Sequence, residues 1–82
     1  MLQGFFAMDD FAPGTYDGLV VDAEELDDDA LSIEIALTSG PRKGDVVRVR
    51  GPRGTRDALS ILGLPVTLDV REDGIRVAIE GD

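Results

Sequence analysis

Six of the chain's eight basic residues lie within fifteen positions, and we call this segment the basic stretch. Its members are Arg42, Lys43, Arg48, Arg50, Arg53 and Arg56. Guanidinium and ammonium groups donate hydrogen bonds to phosphates and carboxylates, so these six side chains are the candidate binding residues. The alternative is that they pair with the chain's own acids, in surface ion pairs that contribute about 0–1 kcal/mol each.

The basic stretch also contains a predicted helix start. Thr55 is a suitable N-cap, and Arg53 and Arg56 stand on either side of it. Free backbone N–H groups at a helix N-terminus attract anions, and Gly51 and Gly54 would let a phosphate or carboxylate approach the backbone. The Gly-Lys-Ser/Thr ending of a nucleotide-binding P-loop is absent, so the segment is not a P-loop.

Acidic residues dominate the rest of the chain, which has a formal net charge of −9. The first forty-one residues hold ten acids and no base, and residues 24–29 form the densest acidic run. Several carboxylates close together can bind a hard cation, but this run lacks the spacing and the glycine of an EF-hand loop. We expect a solvated loop here, and we predict no metal site and no cofactor.

Catalytic chemistry has little to build on in this sequence. The chain contains no histidine and no cysteine, and no serine has an evident neighbouring base. Its carboxylates fall in no predicted apolar pocket that would shift a pKa toward a catalytic value. We therefore predict that the protein is not an enzyme.

Length and composition indicate one small globular domain of 82 residues, with 43% hydrophobic residues and no disulfide. No apolar run approaches the roughly 18 residues that span a bilayer, and the first ten residues lack the basic region of a signal peptide. We expect a cytoplasmic protein. Its net negative charge argues against non-specific attachment to nucleic acid or to anionic membranes.

Alternation of apolar and polar residues predicts five strands joined by short turns. The clearest covers residues 30–38, where every second side chain is leucine or isoleucine. Turn residues at 40–44 and at 72–74 predict two hairpins. The expected core is Leu19, Val21, Leu31, Ile33, Ile35, Leu37, Val47, Val49, Leu59, Leu62, Val66, Leu68, Val70, Ile75, Val77 and Ile79.

A short helix over residues 55–62 is predicted between the third and fourth strands. Leu59 and Leu62 belong to its apolar stripe, and Gly63 is a good residue to follow its end. Long crossover connections are absent, so the sheet should be antiparallel and should curl to close its edges. The fold class is therefore an all-β barrel with one short helix.

Residues 1–13 form an acidic and aromatic arm that precedes the predicted strands. Phe5, Phe6 and Phe11 are three of the four aromatic residues in the chain. One interpretation is a cap that folds over an open barrel end and buries two or three rings, worth about 1.5–3 kcal/mol each. The other is an exposed segment that docks on a partner or on a second copy of the chain, as a homodimer.

The element order of residues 14–82, with a long glycine-interrupted first strand and a helix before the fourth, resembles the OB-fold, a five-stranded antiparallel barrel. The resemblance implies that a partner binds the face of the second and third strands. On this chain that face is Glu34, Ala36, Thr38, Val46, Arg48 and Arg50. With the hairpin centred on residues 41–42, Glu34 is expected opposite Arg50. The rims at 25–29 and 71–74 are acidic.

Three functional hypotheses remain open at this point. The first is a protein-binding module that uses the face and the basic stretch. The second is weak binding of single-stranded nucleic acid along the basic stretch, although the face has no aromatic residue on which a base could stack. The third is an acidic protein that imitates nucleic acid and blocks an enzyme through residues 27–29.

Overall fold

The computed structural model describes residues 2–7, 12–27, 29–54 and 57–80. These residues form six strands and one helix: β1 (Leu2–Ala7), β2 (Gly14–Glu25), β3 (Ala30–Leu37), β4 (Val46–Pro52), α1 (Ala58–Ile61), β5 (Pro65–Arg71) and β6 (Gly74–Ile79).

The strands close into an antiparallel barrel in the order β1-β4-β3-β2-β5-β6, with β6 pairing back onto β1. The predicted all-β antiparallel barrel with one short helix is therefore confirmed. The number of strands is six and not the expected five, because residues 2–7 of the N-terminal arm form a strand of the wall. The order of β2 to β6, with α1 between β4 and β5, is compatible with an OB-like barrel.

Strands β3 and β4 form as the alternation predicts. Ile33 pairs with Val49, and Ile35 pairs with Val47, so that both strands send every second side chain inward. All four of these side chains are buried. The hairpin turn between the strands is closed by backbone hydrogen bonds from Leu37 N to Asp45 O and from Gly44 N to Leu37 O, each 2.9 Å long.

Strand β2 differs from the expectation at its centre. Leu19 and Val21 were expected in the core, but they are 40% and 51% exposed, whereas Val20 is 1% exposed. The pairing of β2 with β3 shifts between Val20 and Asp22, as in a β-bulge. A bulge adds a residue and reverses which side chains point inward, so Ala23 again packs against the core.

The helix is shorter than predicted and uses a different cap. Asp57, not Thr55, is the N-cap, and the Asp57 side chain accepts a hydrogen bond from Leu59 N. A helix that starts here turns Ala58 and Ile61, three positions apart, toward the core. Leu59, expected in the core, is therefore exposed on the opposite side.

Leu62, the other helical leucine of the expected core, follows the last helical residue and is also exposed. Of the predicted core, the buried members are Leu31, Ile33, Ile35, Leu37, Val47, Val49, Val66, Leu68, Val70, Ile75, Val77 and Ile79. Phe5, Val20, Ala58 and Ile61 join them in one cluster. The alternating strands thus supply most of the core, and the arm and the helix complete it.

Strand β1 closes the barrel through the ring of Phe5. It pairs with β4 at Phe6 opposite Arg50 and with β6 at Phe5 opposite Ile75. Phe5 has no exposed surface, and a Cβ atom added at Gly51 would lie 2.6 Å from Phe5 Cγ. The ring therefore occupies space that only a glycine leaves open. Phe11, the third aromatic residue of the arm, lies outside the described residues.

The first prediction concerns Phe5. We expect Phe5→Ala to lower the free energy of unfolding by about 3–5 kcal/mol, because it deletes a fully buried ring and leaves a cavity. Phe6→Ala is the matched control on the same strand, and its exposed ring should cost less than about 1 kcal/mol. Urea unfolding measures both variants. Equal losses would contradict the placement of Phe5 inside the barrel.

The second prediction concerns the contact beneath this ring. Gly51→Ala should cost about 1–3 kcal/mol, since the new methyl group would overlap the Phe5 ring. In the Phe5→Ala background the vacated space accepts the methyl group, so the same change should cost less there. A double-mutant cycle by urea unfolding measures this coupling. Strictly additive costs would show that the two residues do not touch.

Candidate binding surface

The turn between β3 and β4 carries the first two residues of the basic stretch. Arg42 Nε donates a hydrogen bond to Asp45 Oδ2 at 3.0 Å, an ion pair within the turn itself. Lys43 is exposed, and within the described part of the chain its ammonium group has no side-chain partner. The turn therefore offers one cation held by its own acid and one that projects into solvent.

The middle of β4 carries Arg48 and Arg50 on the outer face. The register places Glu34 opposite Arg48 and Ser32 opposite Arg50, so the expected pairing of Glu34 with Arg50 is wrong. Arg48 donates to Glu34 Oε1 in a cross-strand ion pair. Arg50 is exposed, and its guanidinium makes no ion pair with any residue that the structure describes.

Arg53, just beyond β4, holds several segments together. Its guanidinium donates to Glu25 Oε1 at 3.1 Å and to Asp29 Oδ1 at 3.3 Å, and its backbone N donates to Asp29 O at 2.7 Å. The second oxygen of Glu25 accepts a hydrogen bond from Ala58 N at 3.2 Å. Arg53 thus helps to fix the acidic loop against the end of β4 and the start of α1.

The helix start is served by the protein's own carboxylates. Ala58 N donates to Glu25, and Leu59 N donates to Asp57 Oδ1 at 3.2 Å. Two of the N–H groups that the expected anion site would offer are therefore already used. Thr55 and Arg56, which the sequence placed at that site, lie outside the described residues.

The five members of the basic stretch that the structure describes do not gather at one point. Arg42 and Lys43 precede β4, Arg48 and Arg50 lie along it, and Arg53 follows it. A seven-residue strand is roughly 20 Å long, so the first and last of these side chains belong to opposite ends of the strand. The basic residues therefore form a line with carboxylates interspersed.

Apolar side chains occupy the outer surface beside this line. Val46 on β4 pairs with Ala36 on β3, and Ala36 in turn pairs with Leu19 on β2. We call these three residues the apolar row. Val46 is 55% exposed. The row adjoins the turn that carries Arg42 and Lys43, because Ala36 and Val46 are the last paired residues before that turn.

Leu19 was missed as a surface residue for an identifiable reason. Leu19, Val20 and Val21 form an uninterrupted apolar run, so alternation fits equally well with Val20 inward or with its two neighbours inward. Val21, beside the row, points outward by the same alternation, because Val20 points inward. The bulge follows Val20 and leaves Asp22 exposed as well.

One exposed aromatic ring lies at the edge of the face. Phe6 is 61% exposed and stands opposite Arg50, on the strand next to β4. Its Cε1 atom lies 3.8 Å from the position that a Cβ atom at Gly74 would take. The expected face of β3 and β4 carries no aromatic residue of its own, and β1 supplies this one.

Titratable groups give no sign of a metal or acid–base site among the residues described. Within these residues no group of three or more histidine, cysteine, aspartate or glutamate side chains could hold a metal ion. The hydrogen bond and charge of Asp69, with a further contribution from Asp73, hold the pKa of Arg71 above its usual value. An arginine is charged at neutral pH with or without such a partner, so this shift does not change the charge of Arg71.

Comparison of the chain with protein families, curated proteins and solved structures finds no match. No helix in the described ranges has the length and apolar character needed to cross a membrane. The geometry of the outer surface is therefore the basis for a functional proposal.

The third prediction tests the structural role of Arg53. Arg53→Met keeps the aliphatic stem but removes the contacts with Glu25 and Asp29, so we expect a loss of about 1–2 kcal/mol. Arg48→Met is the matched control, because it removes the cross-strand pair with Glu34 on the outer surface and should cost at most about 1 kcal/mol. Urea unfolding compares them. A larger loss for Arg48→Met would contradict the role assigned to Arg53.

Proposed function

We propose that this chain is a non-enzymatic protein-binding module. Its contact surface is the outer face of β3 and β4 together with Leu19 of β2, with the apolar row at the end of this face that adjoins Arg42 and Lys43. The observation that carries the proposal is the row itself, where three neighbouring strands present apolar side chains at the same level of the barrel.

The composition of this surface supports a protein partner. Protein interfaces combine an apolar centre with a polar rim, and arginine is enriched in them. Here the row supplies the centre, while the Arg42 turn and the Arg48–Glu34 pair supply polar groups on its flanks. Val21, exposed beside Leu19, extends the apolar area. The area is small, so a weak or transient complex is the expected kind.

Binding of single-stranded nucleic acid is the competing hypothesis. Phe6 beside Arg50 would suit it, because a base can stack on an exposed ring next to a cation. Against it, Arg42, Arg48 and Arg53 each form an ion pair with a carboxylate of the same chain. The net charge of −9 also repels a phosphate backbone.

Imitation of nucleic acid by the acidic loop has less support. Such imitation needs carboxylates that face an incoming basic enzyme, but Glu25 and Asp29 are engaged by Arg53. Asp27 is exposed, and Asp28 lies outside the described residues. The loop is therefore better explained as part of the anchor around Arg53.

A homodimer and a cytoplasmic location stay predictions. Phe5 is fully buried within its own chain, so of the two arm rings that the structure describes only Phe6 is exposed for self-association while β1 stays in the barrel. The protein-binding proposal needs neither a second copy nor a particular compartment.

The fourth prediction tests the proposed surface by photo-crosslinking. A photoreactive benzoylphenylalanine in place of Val46 should give a discrete crosslinked product in extracts of the cells that make the protein. The matched position is Thr15, which is also exposed on a strand but is remote from the row in the pairing scheme. Adding Leu19→Asp should reduce the Val46 product, because a charge disrupts an apolar contact.

Two outcomes would overturn the proposal. Equal, diffuse products from the positions of Val46 and Thr15 would mean that the row contacts nothing specific. Alternatively, a labelled oligothymidine could bind the full chain at low salt with a slope near −0.7 per phosphate contact, and lose affinity on Arg50→Ala. That pattern would replace the protein-binding proposal by the nucleic-acid one.

A further inference from the structure

A cleft of about 530 Å³ opens on the outer surface of the barrel where β2, β5 and β6 lie side by side. Its size falls in the range of ligand-binding pockets. Residues from all three strands line it, among them Asp17, Leu19, Pro65 and Ala78, together with Glu80 just beyond the end of β6. Leu19 belongs both to this cleft and to the apolar row.

The lining combines an apolar surface with two carboxylates. Leu19, Pro65 and Ala78 provide the apolar part, and Asp17 and Glu80 provide the acidic part. No basic residue is among the residues that line the cleft. In the described part of the chain, neither carboxylate forms a salt bridge, in contrast to Glu25, Glu34 and Asp69 elsewhere on the barrel.

Asp17 is held in position without being neutralised. Thr67 Oγ1 donates to Asp17 Oδ1 at 3.3 Å, and Ser39 Oγ donates to Asp17 Oδ2 at 3.4 Å. The backbone oxygen of Asp17 accepts from Thr38 N at 2.9 Å. A carboxylate has about four acceptor sites, so two neutral hydroxyl donors orient it and leave room for a cationic donor.

Glu80 is anchored by its backbone at the same cleft. Its N–H donates to Pro65 O at 2.9 Å, which continues the pairing of β5 with β6 beyond Ile79. The barrel scaffold therefore brings both carboxylates to one cleft, although they are far apart in sequence. A site on rigid strands loses less entropy on binding than one on loops.

The charge pattern of the whole chain leaves the cleft anionic. β2 carries no basic residue, since none occurs before Arg42. The basic side chains of β4 are separated from β2 by the full width of β3. β5 and β6 carry Arg71 and Arg76, but Arg71 pairs with Asp69, the register places Arg76 opposite Asp69, and neither arginine lines the cleft. The cleft is thus electrostatically complementary to a cation that comes from outside the chain.

We propose that this cleft binds a lysine or arginine side chain on an extended segment of the partner protein. Asp17 and Glu80 pair with the cationic group, while Leu19 and Pro65 contact the aliphatic stem. The inference rests on the proposed function in that it takes the partner to be a protein. It adds that this partner presents a basic residue beside its contact with the apolar row.

Fluorescence anisotropy with a defined probe tests the inference. The probe is a fluorescein-labelled heptapeptide of alternating leucine and lysine, with a counterpart in which glutamine replaces each lysine. The variant is Asp17→Asn/Glu80→Gln in the full chain. The matched control is Glu72→Gln/Asp73→Asn, which removes the same charge from the exposed turn between β5 and β6. Thermal unfolding of each variant confirms that it is folded.

We expect the cleft variant to bind the lysine peptide about tenfold more weakly than the unmodified chain, and the control variant less than about threefold more weakly. The glutamine peptide should not bind measurably to the unmodified chain or to either variant. Equally weakened peptide binding in the two variants would overturn the inference, since the attraction would then depend only on the net charge of the protein. Millimolar calcium could instead displace the peptide from the unmodified chain but not from the cleft variant. That result would also overturn the inference, because it would make the cleft a site for a metal cation.

The peptide and crosslinking experiments together distinguish failure of this inference from failure of the proposed function. If the crosslink from position 46 persists in the Asp17→Asn/Glu80→Gln variant and the lysine peptide does not bind, the apolar row stands and the cleft inference falls. If the peptide binds selectively but position 46 gives no product, the cleft stands as a basic-peptide site. In that case the face of β3 and β4 loses its role.

Discussion

The packing of the Phe5 ring over Gly51 is the contact on which the closed barrel depends. β4 and β6 are both antiparallel to β1, so they run parallel to each other and meet only through it. Without β1 each would present an unpaired edge, with backbone groups left to solvent or to another chain. One buried ring, placed where the opposing strand has no side chain, secures the strand that closes the wall.

Because the barrel is closed and its interior is filled, a partner can contact only its outer surface. The inward side chains form one apolar cluster, and none of the described residues is a buried polar or charged one. A barrel filled in this way offers its partners only the outward positions of its strands. The inward position of Val20 in β2 then matters, because it turns the neighbouring Leu19 and Val21 outward and leaves apolar side chains on the outer face of β2.

The charged side chains of the barrel differ between its two sides in whether they are paired. Carboxylates near β4 are used locally, in pairs with Arg42, Arg48 and Arg53. Carboxylates on the β2, β5 and β6 side include Asp17 and Glu80, which have no such partner within the residues described. The basic stretch, conspicuous in the sequence, is thus largely compensated, and the less conspicuous acidic cleft is not.

Local patterns were enough to predict β3, β4, β5 and β6, because each has one buried face and one solvated face. The same reasoning failed at Leu19, where three apolar residues in a row left the inward parity undetermined. It failed at Leu59 because the helix starts at Asp57 and presents a different pair of residues to the core. Both errors reflect choices that tertiary packing makes between locally equivalent arrangements.

The role of β1 could not be read from the sequence for a different reason. Nothing within residues 2–7 specifies that Phe5 will lie over Gly51, a residue forty-six positions away. The pairing of Glu34 with Arg48 was likewise missed, because it depends on a hairpin register that the turn residues did not fix. Contacts of this kind are set by the closed sheet as a whole.

Amide hydrogen exchange, followed by NMR at single residues, tests the closed barrel most directly. If β1 completes the wall, amides of β1 and of the facing edge of β4 should exchange as slowly as those of β3, in one cooperative unit. Rapid exchange throughout residues 2–7, with β2 to β6 still protected, would contradict this account. It would mean that a five-stranded barrel folds alone and that the N-terminal segment is not part of it.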